Sequence, residues 1–325
     1  MRLLGALNRP APFHGFAENT PNGPRWTGKV ALVPEALDWP LRRRKPLRIF
    51  VNSMSDLFHE ALPVEALAQI FDVMASATLG CRPGHREHDE ECWTGDQHTF
   101  LILTKRPERM RKLLSEELPW FIGERMPGDS ALSMADWPLP NVWLGVSVED
   151  QATADERIPL LLQTPAANRF ISAEPLLGPI IFDSTHESDP CSSSFLSGIG
   201  GERVYDGEKV ALDWVIAGGE SGPGARPCDV GWIRSIVGQC RAAAVPCFVK
   251  QAGRWILGDD AGFPVNHWLL EDGRGYVPPL IGEPARQRPP TRVCSVPAVG
   301  FSLFDRKGGD PAEWPQDLRV RQVPA

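Results

Sequence analysis

Three glutamates and two lysines each stand directly after a short apolar run, where charged groups can act on a bound molecule. Glu149 closes VWLGVSVED (142–150), Glu174 closes RFISAEP (169–175) and Glu220 closes DWVIAGGES (213–221). Lys105 and Arg106 end TFLILTKRP (99–107), and Lys250 and Gln251 end PCFVKQAG (246–253). A sixth run, RIFVNSMSD (48–56), ends in Asn52, Ser53 and Asp56. Carboxylates so gathered can hold a divalent metal through oxygen, move protons, or grip a polar ligand. Glu149, Glu174 and Lys105 are the catalytic candidates. Asn52, Ser53, Asp56, Ser147, Gly218, Gly219 and Glu220 are the ligand-binding candidates. Either lysine can equally serve only to neutralise a neighbouring glutamate, and Asp150 to cap the helix that follows it.

The segment GGESGPGARP (218–227) carries four glycines, at 218, 219, 222 and 224. They allow close approach of backbone to a ligand, or make a tight turn. Within it Glu220 can accept from an amine or hydroxyls, and Arg226 offers a fork for carboxylate or phosphate. The spacing is neither a dinucleotide-binding fingerprint nor a P-loop. NSMSDLFHE (52–60) adds His59, which can be an acid–base group, a metal ligand or a packed structural residue. No G-x-S-x-G nucleophile motif occurs. Between two of the runs, Cys81, His85, His88 and Cys92 stand as C-x3-H-x2-H-x3-C, a donor set suited to a structural zinc. The alternative is an exposed, charge-rich loop with solvated histidines.

Parallel strands covered on both faces read as near-continuous apolar runs. In α/β barrels and open α/β sheets, ligands sit beyond the carboxyl ends of such strands. The six runs therefore predict six strands whose polar tips share one site. Helical spacing separates them: Val64, Leu67, Phe71 and Met74 over 63–78, Met110, Leu113 and Leu114 over 107–118, and Ala154, Ile158, Leu161 and Leu162 over 151–163. Pro159 is expected to kink the third, and Asp229 to cap a fourth carrying Trp232, Ile233, Ile236, Val237 and Cys240. The alternation predicts an α/β fold of parallel βα units. One domain is expected over 1–282, with inserts at 80–98 and 183–210, the latter a long surface loop. Residues 283–325 are expected to form a Pro-rich connection and a tail packed back on the barrel.

With 325 residues, 42% apolar and 23% charged, the chain is long enough to bury a large core. Its net charge of −7 gives no support to a nucleic-acid partner. The one dense basic cluster, Arg42, Arg43, Arg44 and Lys45, reads as a solvated segment before a strand or as a phosphate contact. No stretch is apolar over the roughly 18 residues a membrane span needs. The opening apolar stretch is too short for a signal peptide. Seven cysteines in so large a chain suit reduced thiols, and a cytoplasmic location is expected.

The segments IFVNSMSDLFHE, HTFLILTKRPERM, NVWLGVSVED, RFISAEPLLGP, DWVIAGGESGPGARP and RKGGDPAEWPQDLRV together resemble the phage and bacterial family named for gene products 37 and 68. This is domain of unknown function 5131, also called the three-cysteine-motif proteins. The resemblance implies a barrel like that of radical S-adenosylmethionine enzymes, with S-adenosylmethionine and a [4Fe–4S] cluster as cofactors. The cluster would be held by three cysteines ahead of the region seen here. The seven cysteines of this chain form no such triplet, which implies an internal start or a lost cluster loop. Radical S-adenosylmethionine enzymes grip the methionine amine with Gly-Gly-Glu after the second strand. Here Gly218-Gly219-Glu220 follows a later one, so the chemistry is similar and the order is not.

The fold expected is thus an incomplete TIM-like (βα) barrel of the radical S-adenosylmethionine type, parallel strands inside and helices outside. The partner expected is an unidentified small-molecule or macromolecular substrate, or a protein encoded nearby. The alternatives are a metal-dependent hydrolase using the strand-tip carboxylates and a non-catalytic barrel that binds a ligand or a protein.

Overall fold

The computed structural model describes residues 15–21, 23–43, 45–52, 55–77, 98–126, 130–183, 194–196, 204–205, 208–222, 224–257, 267–270, 275–276, 298–302 and 310–324. All six apolar runs form strands: β1 (Arg48–Val51), β2 (Thr99–Thr104), β3 (Val142–Ser147), β4 (Asn168–Ala173), β5 (Trp214–Gly218) and β6 (Cys247–Gln251). They make one curled parallel sheet in which spatial order equals chain order, β1-β2-β3-β4-β5-β6. That order never reverses, unlike a doubly wound sheet. Parallel crossovers are right-handed, so with a constant direction of travel the connections fall on one face. The result is the half-barrel form of an α/β protein.

The chain divides into two compact units, Met1–Ile102 with Arg109–Trp143, and Leu103–Glu108 with Leu144–Ala325. In the first, a hairpin pairs Ala17–Thr20 with Gly23–Trp26. Helix α1 (Val64–Ser76) buries Leu67, Phe71 and Met74, at the spacing read from the sequence. Helix α2 begins at Pro107–Lys112, passes through a π turn at Leu113–Glu117 and continues over Leu118–Arg125, one turn and more beyond the predicted end. Leu118 and Ile122 extend its buried face. A polar knot joins these pieces. The buried His98 accepts at Nδ1 from the Leu47 amide (3.2 Å), and its Nε2 lies 3.0 Å from the Pro40 carbonyl. Asn141 donates to the carbonyls of Met74 and His98 at 3.0 and 3.2 Å.

In the second unit, helix α3 (Gln151–Leu162) buries the four predicted residues and runs on through Pro159. Asp150 caps it as expected. Its carboxylate accepts from the Thr153 amide at 2.9 Å, while the Thr153 hydroxyl accepts from the Asp150 amide at 3.1 Å. That reciprocal arrangement satisfies donors a helix start otherwise leaves orphaned. It also holds the Asp150 carboxyl below its ordinary pKa, the backbone bond contributing most. Helix α4 (Val230–Ala242) is capped by Asp229 and buries Ile233, Ile236, Val237 and Cys240. Gly145 lies against the Phe170 ring, where a Cβ would collide.

Within 183–210 the described residues are 183, 194–196, 204–205 and 208–210. Leu196 is buried, the Phe195 amide donates to the Phe182 carbonyl at 3.0 Å, and Val204–Tyr205 pairs with Glu208–Lys209. Toward the C-terminus, a five-stranded sheet includes Cys228–Asp229, Ile256–Leu257, His267–Leu270, Gly275–Tyr276 and Ala298–Ser302, strands not foreseen in the sequence. Finally, the tail lines the open edge of β6. The Val249 amide donates to the Val320 carbonyl (2.8 Å), and Gln322 donates to the carbonyl of Cys247 (2.9 Å). Trp314 and Leu318 are buried beneath it. Covering an edge strand removes a template for unwanted pairing.

Candidate functional site

Glu149 leaves β3 just before the Asp150 cap, so its backbone is fixed from both sides. Its amide donates to the Thr153 hydroxyl (2.9 Å), and its carbonyl accepts from the Leu177 amide (2.7 Å). The carboxylate is mostly buried and meets two cations. Lys105, at the tip of β2, pairs with Oε1, and Arg157 of α3 donates to Oε2 at 3.0 Å. Arg157 also donates to the Ser147 carbonyl at 2.7 Å, so this guanidinium clamps the end of β3. Burying a carboxylate is costly unless it is paired and hydrogen-bonded, and here it is both.

Glu174, at the tip of β4, reaches across to β6. Lys250 donates to Oε2 and Gln251 to Oε1, each at 2.9 Å. The Gln251 amide group also donates to the Gly219 carbonyl at 2.8 Å, while the Gly219 amide donates to the Gln251 carbonyl at 3.0 Å. These bonds draw the ends of β5 and β6 together so closely that a Cβ on Gly219 would meet the carbonyl of Ala252 and the Cα of Gly253. A Cβ on Gly218 would lie 3.0 Å from the Gln251 carbonyl oxygen. Close approach is what these two glycines permit, and the group approached is this chain's own backbone.

Past Gly219 the chain turns, with Gly222 and Gly224 at φ of 102° and 75°, a region side-chain-bearing residues rarely adopt. The turn brings Arg226 back onto Glu220. The Arg226 amide (2.9 Å) and Nε (2.7 Å) donate to Oε2, and Nη2 donates to Oε1 at 3.3 Å. These bonds, the side-chain ones foremost, hold the Glu220 carboxyl below its ordinary pKa. Glu220 and, more weakly, Glu149 raise the pKa of the Arg226 guanidinium. Three polar sets thus stand at strand ends of a single unit: Glu149 with Lys105 and Arg157, Glu174 with Lys250 and Gln251, and Glu220 with Arg226.

The family described as a protein of unknown function, DUF5131, matches residues 9–80 and 89–288, most of the chain. The chain belongs to that family. No curated protein and no solved structure matches it.

Of the residues this DUF5131 chain offers as sequence candidates, Lys105, Ser147, Glu149, Glu174, Gly218, Gly219 and Glu220 stand on neighbouring tips of the second unit. Lys105 lies on Glu149 and Lys250 on Glu174. Asn52 and Asp56 belong to the first unit. Asn52 is an exposed turn residue with φ of 58°, and Asp56 accepts from the Phe58 amide at 2.9 Å. His59 accepts from the Ala61 amide at Nδ1 (3.1 Å), which gives it a place in a turn. Ser53, Cys81, His85, His88 and Cys92 lie outside the described residues. Among the described residues, no group of three or more His, Cys, Asp or Glu is placed to hold a metal ion. No described helix is long and apolar enough to cross a membrane.

Arg157 and the knot of His98 and Asn141 were missed. For Arg157 a signal existed: two turns into α3, on the side of the capped end, one basic residue sits beside the buried Ala154, Ile158 and Leu161. His98 carried none, because its partners lie 51 and 58 residues away in sequence.

Proposed function

We propose that this DUF5131 chain binds S-adenosylmethionine across the tips of β3 to β6, as a half-barrel of the radical S-adenosylmethionine type. The observation that carries the reading is the set of paired charges at the carboxyl ends of strands in unreversed order, the end at which α/β barrels and open sheets take their ligands. S-Adenosylmethionine bears an ammonium, a carboxylate and a sulfonium. The donor set fits it: Glu174 and Glu220 accept from an ammonium, and Lys250 and Arg226 donate to a carboxylate. When bound, it supplies an activated carbon beside sulfur. The residues of this chain orient it. Gln251 ties Glu174 to the Gly219 carbonyl and so fixes the carboxylate's direction, and Arg157 pairs with the Glu149 carboxylate.

The described cysteines do not fit an iron–sulfur cluster. Cluster ligation needs thiolates, yet Cys228, Cys240 and Cys247 are buried. Burial pushes the Cys228 thiol up to about 12, and a hydrogen bond with Cys247, ahead of burial, pushes Cys240 upward. No step is therefore routed through a cluster. Equilibrium dialysis of the purified chain with labelled S-adenosylmethionine tests the reading. Saturable binding that Glu174→Gln weakens supports it. Absence of binding up to about 1 mM, where the free energy would be only about −4 kcal/mol, overturns it.

A further inference from the structure

The basic cluster ahead of β1 lies in the first unit and takes no part in the strand-tip sets. Residues 39–50 read WPLRRRKPLRIF, five cations and no carboxylate in a chain of net charge −7. Pro40–Arg42 makes one tight helical turn with Pro40 buried. The buried His98 fastens the stretch at both ends. Its Nδ1 accepts from the Leu47 amide (3.2 Å), and its Nε2 lies 3.0 Å from the Pro40 carbonyl. Both ends thus meet on one imidazole, so Leu41, Arg42, Arg43 and Lys45 share a single closed loop.

Outside that anchor the loop is uncovered. Trp39 before it, Leu41 on it and Phe50 on β1 are 43%, 42% and 47% exposed. Arg42 pairs with Asp38, while the Arg43 guanidinium lies 4.5 Å from the centre of the Trp39 ring. Arg43 and Lys45 are exposed, and among the described residues no carboxylate pairs with either. Single exposed apolar side chains are ordinary on a protein surface. Rings and cations interleaved on one fastened loop suit single-stranded nucleic acid, because cations take its phosphates and every base has a face to stack on a ring. An acidic protein segment would use the cations and leave the rings idle. A lipid surface takes a continuous apolar face, and here cations and prolines break the apolar residues apart.

We infer that the loop at 39–48 binds single-stranded nucleic acid, with phosphates on Arg43 and Lys45 and a base on Trp39. None of these residues enters the S-adenosylmethionine reading, so either can fail alone. Fluorescence anisotropy of a labelled oligothymidylate of about 20 nucleotides, titrated with the full chain at several salt concentrations, tests it. Saturable binding is expected, weakening as salt rises because phosphate contacts release counterions. Arg43→Gln/Lys45→Gln should weaken it at least about tenfold and flatten the salt slope by about 1.4, two phosphates at about 0.7 each. Trp39→Leu should weaken it about fivefold or more with the slope unchanged, which separates stacking from charge. Lys112→Gln on α2 should change nothing. Four results overturn the inference: no saturable binding, full affinity in the double variant, an equal loss in Lys112→Gln, or displacement of the oligonucleotide by polyglutamate or phosphatidylserine vesicles at lower charge concentration.

A second measurement needs no variant. Oxidative footprinting of the wild-type chain, read by mass spectrometry, should show the oligonucleotide protecting Trp39 but not Trp120, which is 58% exposed on α2. Equal protection of both, or of neither, overturns the inference.

Discussion

Replacing Glu149 with glutamine keeps its shape and removes its charge, which isolates what the carboxylate does. In the native chain it neutralises Arg157, itself mostly buried, and Lys105, mostly exposed. Removing one partner of a buried ion pair costs about 3–5 kcal/mol, because the other charge is stranded. Arg157 keeps its bond to the Ser147 carbonyl, so about 2–4 kcal/mol is expected for Glu149→Gln. Lys105→Gln leaves Glu149 paired with Arg157 and removes a mostly exposed charge, and should cost less than about 1 kcal/mol. In an Arg157→Met background, Glu149→Gln should lose most of its effect, with a coupling of about 1.5–3 kcal/mol. Urea unfolding followed by circular dichroism measures the cycle. Exchange of the Leu177 amide, which donates to the Glu149 carbonyl, reports on the same corner locally. Additive costs in the double variant, or a Lys105→Gln cost as large as that of Glu149→Gln, would refute the clamp.

Gly219→Ala pushes a methyl against the Ala252 carbonyl and should cost about 1–3 kcal/mol, seen as a lowered thermal midpoint; an unchanged midpoint would mean β5 and β6 part more easily than the structure shows. Asp213 accepts from the Arg169 amide at 2.6 Å, and burial holds its carboxyl above the ordinary value of 3.8 despite that bond. The folded state therefore binds this proton more tightly than the unfolded one, so stability falls as pH rises from 3.8 through the raised folded value. Asp213→Asn should flatten that part of the stability-against-pH curve, and an unaltered slope would refute the assignment.

How far the site could be read from the chain depended on the range of each interaction. Asp150 and Thr153 meet within one helical turn, so the cap was visible. Lys105 and Glu149 are 44 positions apart and Lys250 and Glu174 are 76 apart. Each tip residue could be named alone, while the pairing that governs its chemistry could not. The glycines show the same limit. Freedom to approach something closely is legible at Gly218 and Gly219, but not that the neighbour is the turn at Ala252 and Gly253.

Local pattern alone determined the six strands, the faces of α1, α3 and α4 and the placing of polar residues at strand ends. Periodicity and burial act over a few residues, so they leave a mark on every short window of sequence. Tertiary structure alone decided which cation lies on which carboxylate and how the tail covers β6. Those outcomes depend on which strands become neighbours, and that follows from the direction of successive crossovers rather than from any one segment.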